Sequence, residues 1–215
     1  LCALILTVTA TVVPSFAPVA SVELRYRINF GTEMPLPMTS GADGRWSAAI
    51  PASASTPGQL VRYFITATDT SGRTSRWPSY LDPATQPQYL GTVVADPAIT
   101  SGLPVFHWWV QSTGAAETVA GTRCSLFHNG VLYDNIFCRI RGGTSISWPK
   151  KSYKLEFNDG YEFQRQPGHT VDEFDLNTTY TDKSYVRAAM AGSFMNAAGL
   201  PTVDIFHTHV RQNGN

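Results

Sequence analysis

Apolar and polar side chains alternate with a period of two along much of the chain, which predicts a protein built mainly of β-strands. The alternation is clear in Val22-Glu23-Leu24-Arg25-Tyr26-Arg27-Ile28 and returns in Trp46 to Ile50 and Val61 to Ala67. Leu6 to Val13, rich in Thr and Val, reads as a first strand. Turn sequences separate these runs: Ser40 to Gly44, a loop from Pro51 to Gly58, and Asp69 to Arg73. Short strands with turns at roughly ten-residue spacing predict an immunoglobulin- or fibronectin-III-like β-sandwich over residues 1–80. Pro83, Pro87 and Pro97 then punctuate a stiff linker, 81–102, with one short strand near Leu90 to Val94.

From residue 103 the pattern changes. Val105 to Val110 is a dense apolar strand, and Thr122–Phe127 and Val131–Ile140 flank Asn129-Gly130. Asn-Gly between two β-runs predicts a hairpin, because a type I′ turn needs φ > 0 at both positions. Ser152 to Phe157 alternates again, and Val203 to Val210 reads as a last strand. A helix is predicted from Lys183 to Ala198, capped by Thr181 or Asp182 and stopped by Gly199 and Pro201. Its apolar stripe would be Val186, Met190, Phe194 and Ala197. The fold class is therefore a β-rich α+β arrangement.

Composition adds exclusions. Of 215 residues, 43% are hydrophobic, enough for a core, and only 15% are charged. Sixteen basic residues balance sixteen acidic ones, which excludes a generally basic nucleic-acid binder. Leu1 to Val13 is too short for the roughly 20 residues of a membrane span. The scarcity of charge and abundance of Ser, Thr, Gly, Pro and Asn suit an extracellular or cell-surface protein. A chain that starts at Leu1 and stops in the turn Gln212 to Asn215 reads as a piece cut mid-domain.

Cys2, Cys124 and Cys138 make no disulfide framework. In a regular hairpin with a two-residue loop, Cys124 faces Asn135 and Cys138 faces Gly121, so the two thiols point to opposite faces. Only a bulge in the second strand would bring them to one face.

Charge is concentrated at one place. Arg139, Arg141, Lys150, Lys151 and Lys154 fall within sixteen residues without an intervening acid. Gly142-Gly143 and Thr144-Ser145 lie among them. Glycines let a backbone approach an anion closely, and hydroxyls and N–H groups donate to phosphate oxygens. The block reads either as a phosphate-binding loop and strand or as an exposed hairpin tip with a basic edge strand. It is neither a Walker A nor a G-x-G-x-x-G loop.

These residues resemble a known family. Arg139-Ile140-Arg141-Gly142-Gly143-Thr144-Ser145, followed by Pro149-Lys150-Lys151-Ser152-Tyr153-Lys154, is similar to the paired signature of the CotH (spore coat protein H) kinase family. Asp182-Lys183-Ser184-Tyr185-Val186-Arg187 and the later Ala198-Gly199-Leu200-Pro201 resemble its helix. The resemblance implies an atypical protein-kinase fold that phosphorylates Ser in secreted bacterial or coat proteins, using ATP with Mg or Mn. It implies that residues 103–215 are the N-lobe only. Arg141, Gly142, Gly143, Ser145 and Lys150 would then line the nucleotide, and Lys151, or else Lys154, would pair the phosphates. The predicted helix holds no Glu to pair that lysine, so its partner would come from elsewhere, for example Glu156 or Glu173. The family's catalytic and metal-binding acids are not matched by Asp172, Glu173, Asp175 or Asp204, so this stretch by itself is expected to be inactive. The alternative is a non-catalytic surface or adhesion protein with a CotH-like binding region.

Weaker candidates are a His207/His209 metal pair, a Trp108-Trp109 sugar platform, which core packing outweighs, and the Asn177-Thr178-Thr179 sequon.

Overall fold

The computed structural model describes residues 5–166 and 168–215; Cys2 lies outside them. The first half forms two sheets. β1 (Leu6–Thr11), β5 (Arg45–Ile50) and β4 (Thr39–Ser40) make one, in the order β1-β5-β4. β3 (Met34–Pro37), β2 (Val19–Ile28), β6 (Leu60–Asp69) and β7 (Thr74–Trp77) make the other, and all their pairings are antiparallel. Val22, Leu24 and Tyr26 turn inward while Glu23 and Arg25 turn out, as the alternation requires. They meet Val8 and Ile50 of the facing sheet in one apolar core, the arrangement of a β-sandwich.

The proline-rich connection is built into this architecture. β8 (Leu90–Val93) pairs with β6 beyond the end of β7. Gly91 is required there, because a Cβ would collide with the Val61 carbonyl and sit 2.8 Å from Leu132 Cδ2 of the second half.

The second half is a six-stranded sheet in the order β15-β12-β11-β10-β9-β16. Its strands are β9 (Val105–Val110), β10 (Thr122–His128), β11 (Val131–Arg141), β12 (Ser152–Glu156), β15 (Glu173–Leu176) and β16 (His209–Gln212). A small hairpin, β13 (Phe163–Gln166) and β14 (His169–Val171), lies apart from the sheet, and α1 (Thr113–Ala116) is a single turn. β16 runs parallel to β9, whereas the other neighbours are antiparallel. One face carries the core, formed by Phe106, Trp108, Val110, Cys124, Leu126, Ile136, Cys138 and Leu155, with Phe157 and Phe163.

Asn129 and Gly130 both have positive φ, as the hairpin predicted. The register then slips: Leu126 opposes Tyr133, but Cys124 opposes Ile136, so Asp134 and Asn135 share the place opposite Ser125. Asn135 takes φ +54° to make this bulge. Cys124 and Cys138 thereby come to the same face, and both remain free, buried thiols. Burial, reinforced by Cys138, pushes the Cys124 thiol well above its ordinary value.

Three expectations need correction. The helix α2 spans Arg187–Ala197, not Lys183 to Ala198, since residues before it turn through Tyr185 at φ +61°. Its expected apolar stripe is not buried: Val186, Met190 and Phe194 are exposed, and Gly192 is its one buried residue. The helix packs through its smallest side, where a Cβ on Gly192 would lie 3.4 Å from Ile205. The strand expected from Val203 to Val210 is confined to His209–Gln212, the residues whose backbone pairs in parallel with β9.

Candidate functional site

The basic block occupies the end of β11, the loop that follows, and β12. Gly142 leaves β11 at φ +116°, and Thr144–Ser147 form a 3₁₀ turn. The Ser145 side chain folds back over Gly142, so that a Cβ on Gly142 would collide with Ser145 Oγ. Gly143, by contrast, has open space where its Cβ would be. Ile146 O accepts from Lys151 Nζ at 2.7 Å, which ties that lysine to the loop.

β12 lies between β11 and β15, so the basic strand is not an edge strand. Cross-strand register places Lys154 beside Arg139 on one side and Asp175 on the other, and Glu156 beside Glu173. The result is a charge ladder on the face away from the core. Lys154 Nζ lies 2.5 Å from Glu173 and 3.4 Å from Glu156. Arg139 lies 3.7 Å from Glu156, and Arg141 lies 3.0 Å from Asp175 while donating to Asn177 Oδ1 at 2.7 Å. The hydrogen bond to Glu173, with Glu156 behind it, raises the Lys154 pKa. The carboxylate partners of Lys154 thus lie on β15 and β12. Three of the five block cations are neutralised in this way. Lys150 and Lys151 have no carboxylate partner among the described residues, and both sit at the loop end of the sheet.

The far limb of the loop is pinned by Thr178, whose N–H donates to Ser152 Oγ at 3.2 Å and whose hydroxyl donates to Lys150 O at 3.3 Å. On the core face Tyr153 packs against Trp108, with ring centres 4.6 Å apart, and its hydroxyl reaches Glu117. Burial, with Glu117 adding to it, pushes the Tyr153 phenol up to about 12, so it stays protonated. Trp108 and Trp109 are both buried and form no sugar platform.

Asp182 and Arg187 of the helix motif serve each other. Asp182 Oδ2 accepts from Arg187 N at 3.0 Å, and Asp182 Oδ1 accepts from the Ser184 hydroxyl at 2.6 Å. The Ser184 hydroxyl and the backbone N–H groups of Arg187 and Ser184 hold this carboxyl below the usual range. The N-cap expected at Thr181 or Asp182 falls instead on Val186, which offers no side-chain bond, and Asp182 reaches the first helical N–H, that of Arg187, from five residues upstream.

The loop has the chemistry of an anion site: two ammonium groups without carboxylate partners among the described residues, hydroxyls at Thr144 and Ser145, and an unobstructed backbone at Gly143. No group of three His, Cys, Asp or Glu residues able to hold a metal occurs among the described residues. His207 bonds to Tyr185 O instead of pairing with His209 around an ion.

Sequence reasoning missed the junction of the two halves. Asp134 at the bulge accepts from Ser125 Oγ (2.7 Å), Gln88 N (3.1 Å) and Tyr89 N (2.8 Å), and it lies 3.4 Å from Arg62 of β6. Asn135 donates to the carbonyls of Pro83 and Gln86. The signal was two successive polar residues, Asp134-Asn135, interrupting an apolar strand.

No helix of the described residues is long and apolar enough to cross a membrane. No curated protein matches the chain. Among solved structures, a cycloalternan-degrading enzyme from Trueperella pyogenes is similar over 64% of this chain and 16% of its own, at 16% identity and a TM-score of 0.28. The chain thus spans under a fifth of that enzyme's length. Residues 138–215, which hold the ladder, the loop and the capped helix, match the CotH kinase protein family.

Proposed function

We propose that this chain carries the nucleotide-binding part of a CotH-like atypical protein kinase, secreted or displayed at the bacterial surface. The immunoglobulin-like module of residues 1–80 and the segment 81–102 precede a kinase N-lobe at 103–215 and act as a spacer. The parent enzyme transfers phosphate from ATP, with Mg or Mn, to Ser of extracellular or coat proteins. The observation that carries this reading is the pair Lys150 and Lys151, without carboxylate partners among the described residues and following the Gly142-Gly143 loop, while the other three cations of the block are paired. Lys151 is the phosphate-pairing lysine. Lys154 is engaged by Glu173 and Glu156 and holds the strands together.

The test is binding of a fluorescent ATP analogue with Mn²⁺ to the chain. A charge-assisted hydrogen bond contributes about 1.5–3 kcal/mol, so Lys151→Ala should weaken binding by about tenfold or more. Lys154→Ala should weaken it less. Absence of binding, or equal affinity in wild type, Lys150→Ala and Lys151→Ala, overturns the reading. Radiolabelled ATP with the parent protein separates transfer from binding.

A further inference from the structure

A cleft of about 330 Å³ opens on the second half, between the start of β11 and the segment 158–164, away from the basic loop. Tyr161, Glu162, Asn158, Gln164, Thr170 and the buried Tyr133 are among its walls. Gln164 and Thr170 face each other across the β13–β14 hairpin, so one strand pair presents an amide and a hydroxyl side by side. Tyr161 is 45% exposed and offers a flat ring at the rim. Asn158 is almost wholly buried and is fixed by its donation to Asp134 O at 2.9 Å. Glu162 accepts from Gly160 N at 2.9 Å, and backbone N–H groups keep its carboxyl below the usual range.

No Lys, Arg or His lines the cleft. Glu162 repels phosphate and carboxylate ligands, and no cation offsets it. A purely apolar ligand would strip Gln164, Thr170 and Glu162 of water without replacing its hydrogen bonds. Amides offer donor and acceptor side by side, the carboxylate offers acceptors, and a half-exposed tyrosine offers an apolar face with a polar tip. Vicinal hydroxyls on a ring with an apolar face complement that set. The volume is at the small end of the range for ligand pockets, roughly 300–1,000 Å³.

We infer that this cleft binds a neutral saccharide of one or two rings, with Tyr161 under the sugar ring and Gln164, Thr170 and Glu162 on its hydroxyls. Saturation-transfer NMR on the chain with maltose, cellobiose and N,N′-diacetylchitobiose tests it. At least one sugar should receive saturation. Tyr161→Ala and Gln164→Ala, both at exposed side chains, should each weaken its dissociation constant about tenfold. Phe16→Ala, at a more exposed aromatic in the first half, should leave it unchanged. Absence of transfer to all three sugars, transfer that survives both cleft substitutions, or transfer equally lost in Phe16→Ala overturns the inference.

Discussion

The Arg62 guanidinium lies 3.4 Å from the Asp134 carboxylate, and their side chains are only 8% and 1% exposed. The pair joins β6 of the sandwich to the bulge of β11. Burial lowers the Arg62 pKa, and Asp134 works against that shift. Phe30 and Tyr89 cover the guanidinium, at 5.2 and 4.7 Å from ring centre to Cζ, and its Nη2 also donates to Asn29 O. Removing one member of a buried pair leaves the other charge uncompensated, at a cost of about 3–5 kcal/mol. Asp134→Asn should fall in that range, since the amide cannot accept from all of Ser125, Gln88 and Tyr89 as the carboxylate does. Arg62→Met should cost less, because Asp134 keeps those three donors. Urea midpoints of the two variants check the order, and the reverse order would show that the guanidinium anchors the junction.

The two glycines of the loop should respond differently. Gly142→Ala forces a Cβ into Ser145 at φ +116°, so it should lower stability and disorder the 3₁₀ turn. Gly143→Ala meets open space and should leave the melting temperature within a degree or two of wild type, in the manner of about ±0.5 kcal/mol surface changes. If nucleotide phosphate approaches the Gly143 backbone, the same substitution should still weaken binding of the fluorescent analogue. Unchanged affinity in Gly143→Ala would place the phosphates elsewhere.

How much of this was legible differs from residue to residue. β2 could be read directly because Val22, Leu24 and Tyr26 face a core and Glu23 and Arg25 face water, and period two records that division. The Asn129-Gly130 turn was legible because its backbone demands a positive φ that few residues accept. The charge ladder was not, because Lys154 meets Glu173 through strand pairing across nineteen positions of sequence, which local spacing does not encode. The α2 stripe misled for a related reason. Val186, Met190 and Phe194 follow helical spacing, yet the side that packs is Gly192 against Ile205, and nothing in helical periodicity marks a glycine as a contact. The bulge at Asp134-Asn135 reversed the facing of the two cysteines, because one inserted residue moves every later side chain to the other face.

His107 predicts a pH dependence. Burial lowers its pKa, and Arg211, His209 and His128 add to that, while Asp96 opposes them. The imidazole stacks on Trp109 at 5.7 Å and faces Phe127, and its Nδ1 is buried without a partner among the described residues. With the folded pKa below the unfolded value of about 6.5, the unfolded chain takes up its proton first as pH falls. The stability this residue contributes is therefore complete above about pH 6.5, falls below it, and levels off once pH passes the folded pKa. His107→Phe keeps the aromatic contacts and removes the proton, so it should flatten the decline just below neutrality. Denaturation midpoints measured between pH 7.5 and 5 check this; an unchanged slope would assign the decline to other groups.

Asp182 gives a prediction local to the helix motif. Its carboxylate satisfies the N–H of Arg187, the first residue of α2, and the N–H and hydroxyl of Ser184, while the Arg187 side chain returns to it at 3.6 Å. Helix starts lack internal acceptors for their first N–H groups, and a carboxylate there also meets the positive end of the helix dipole. Asp182→Ala should therefore fray the start of α2 and accelerate amide exchange from Arg187 to Met190. Asp182→Asn should retain part of the protection, since the amide oxygen still accepts. The carboxyl is held below its ordinary value, so the cap persists to lower pH than a free aspartate and is lost only when the group protonates. Hydrogen exchange of α2 in the two variants separates this role from a chemical one. Intact protection in Asp182→Ala, together with loss of nucleotide binding, would move Asp182 from the helix cap to the site.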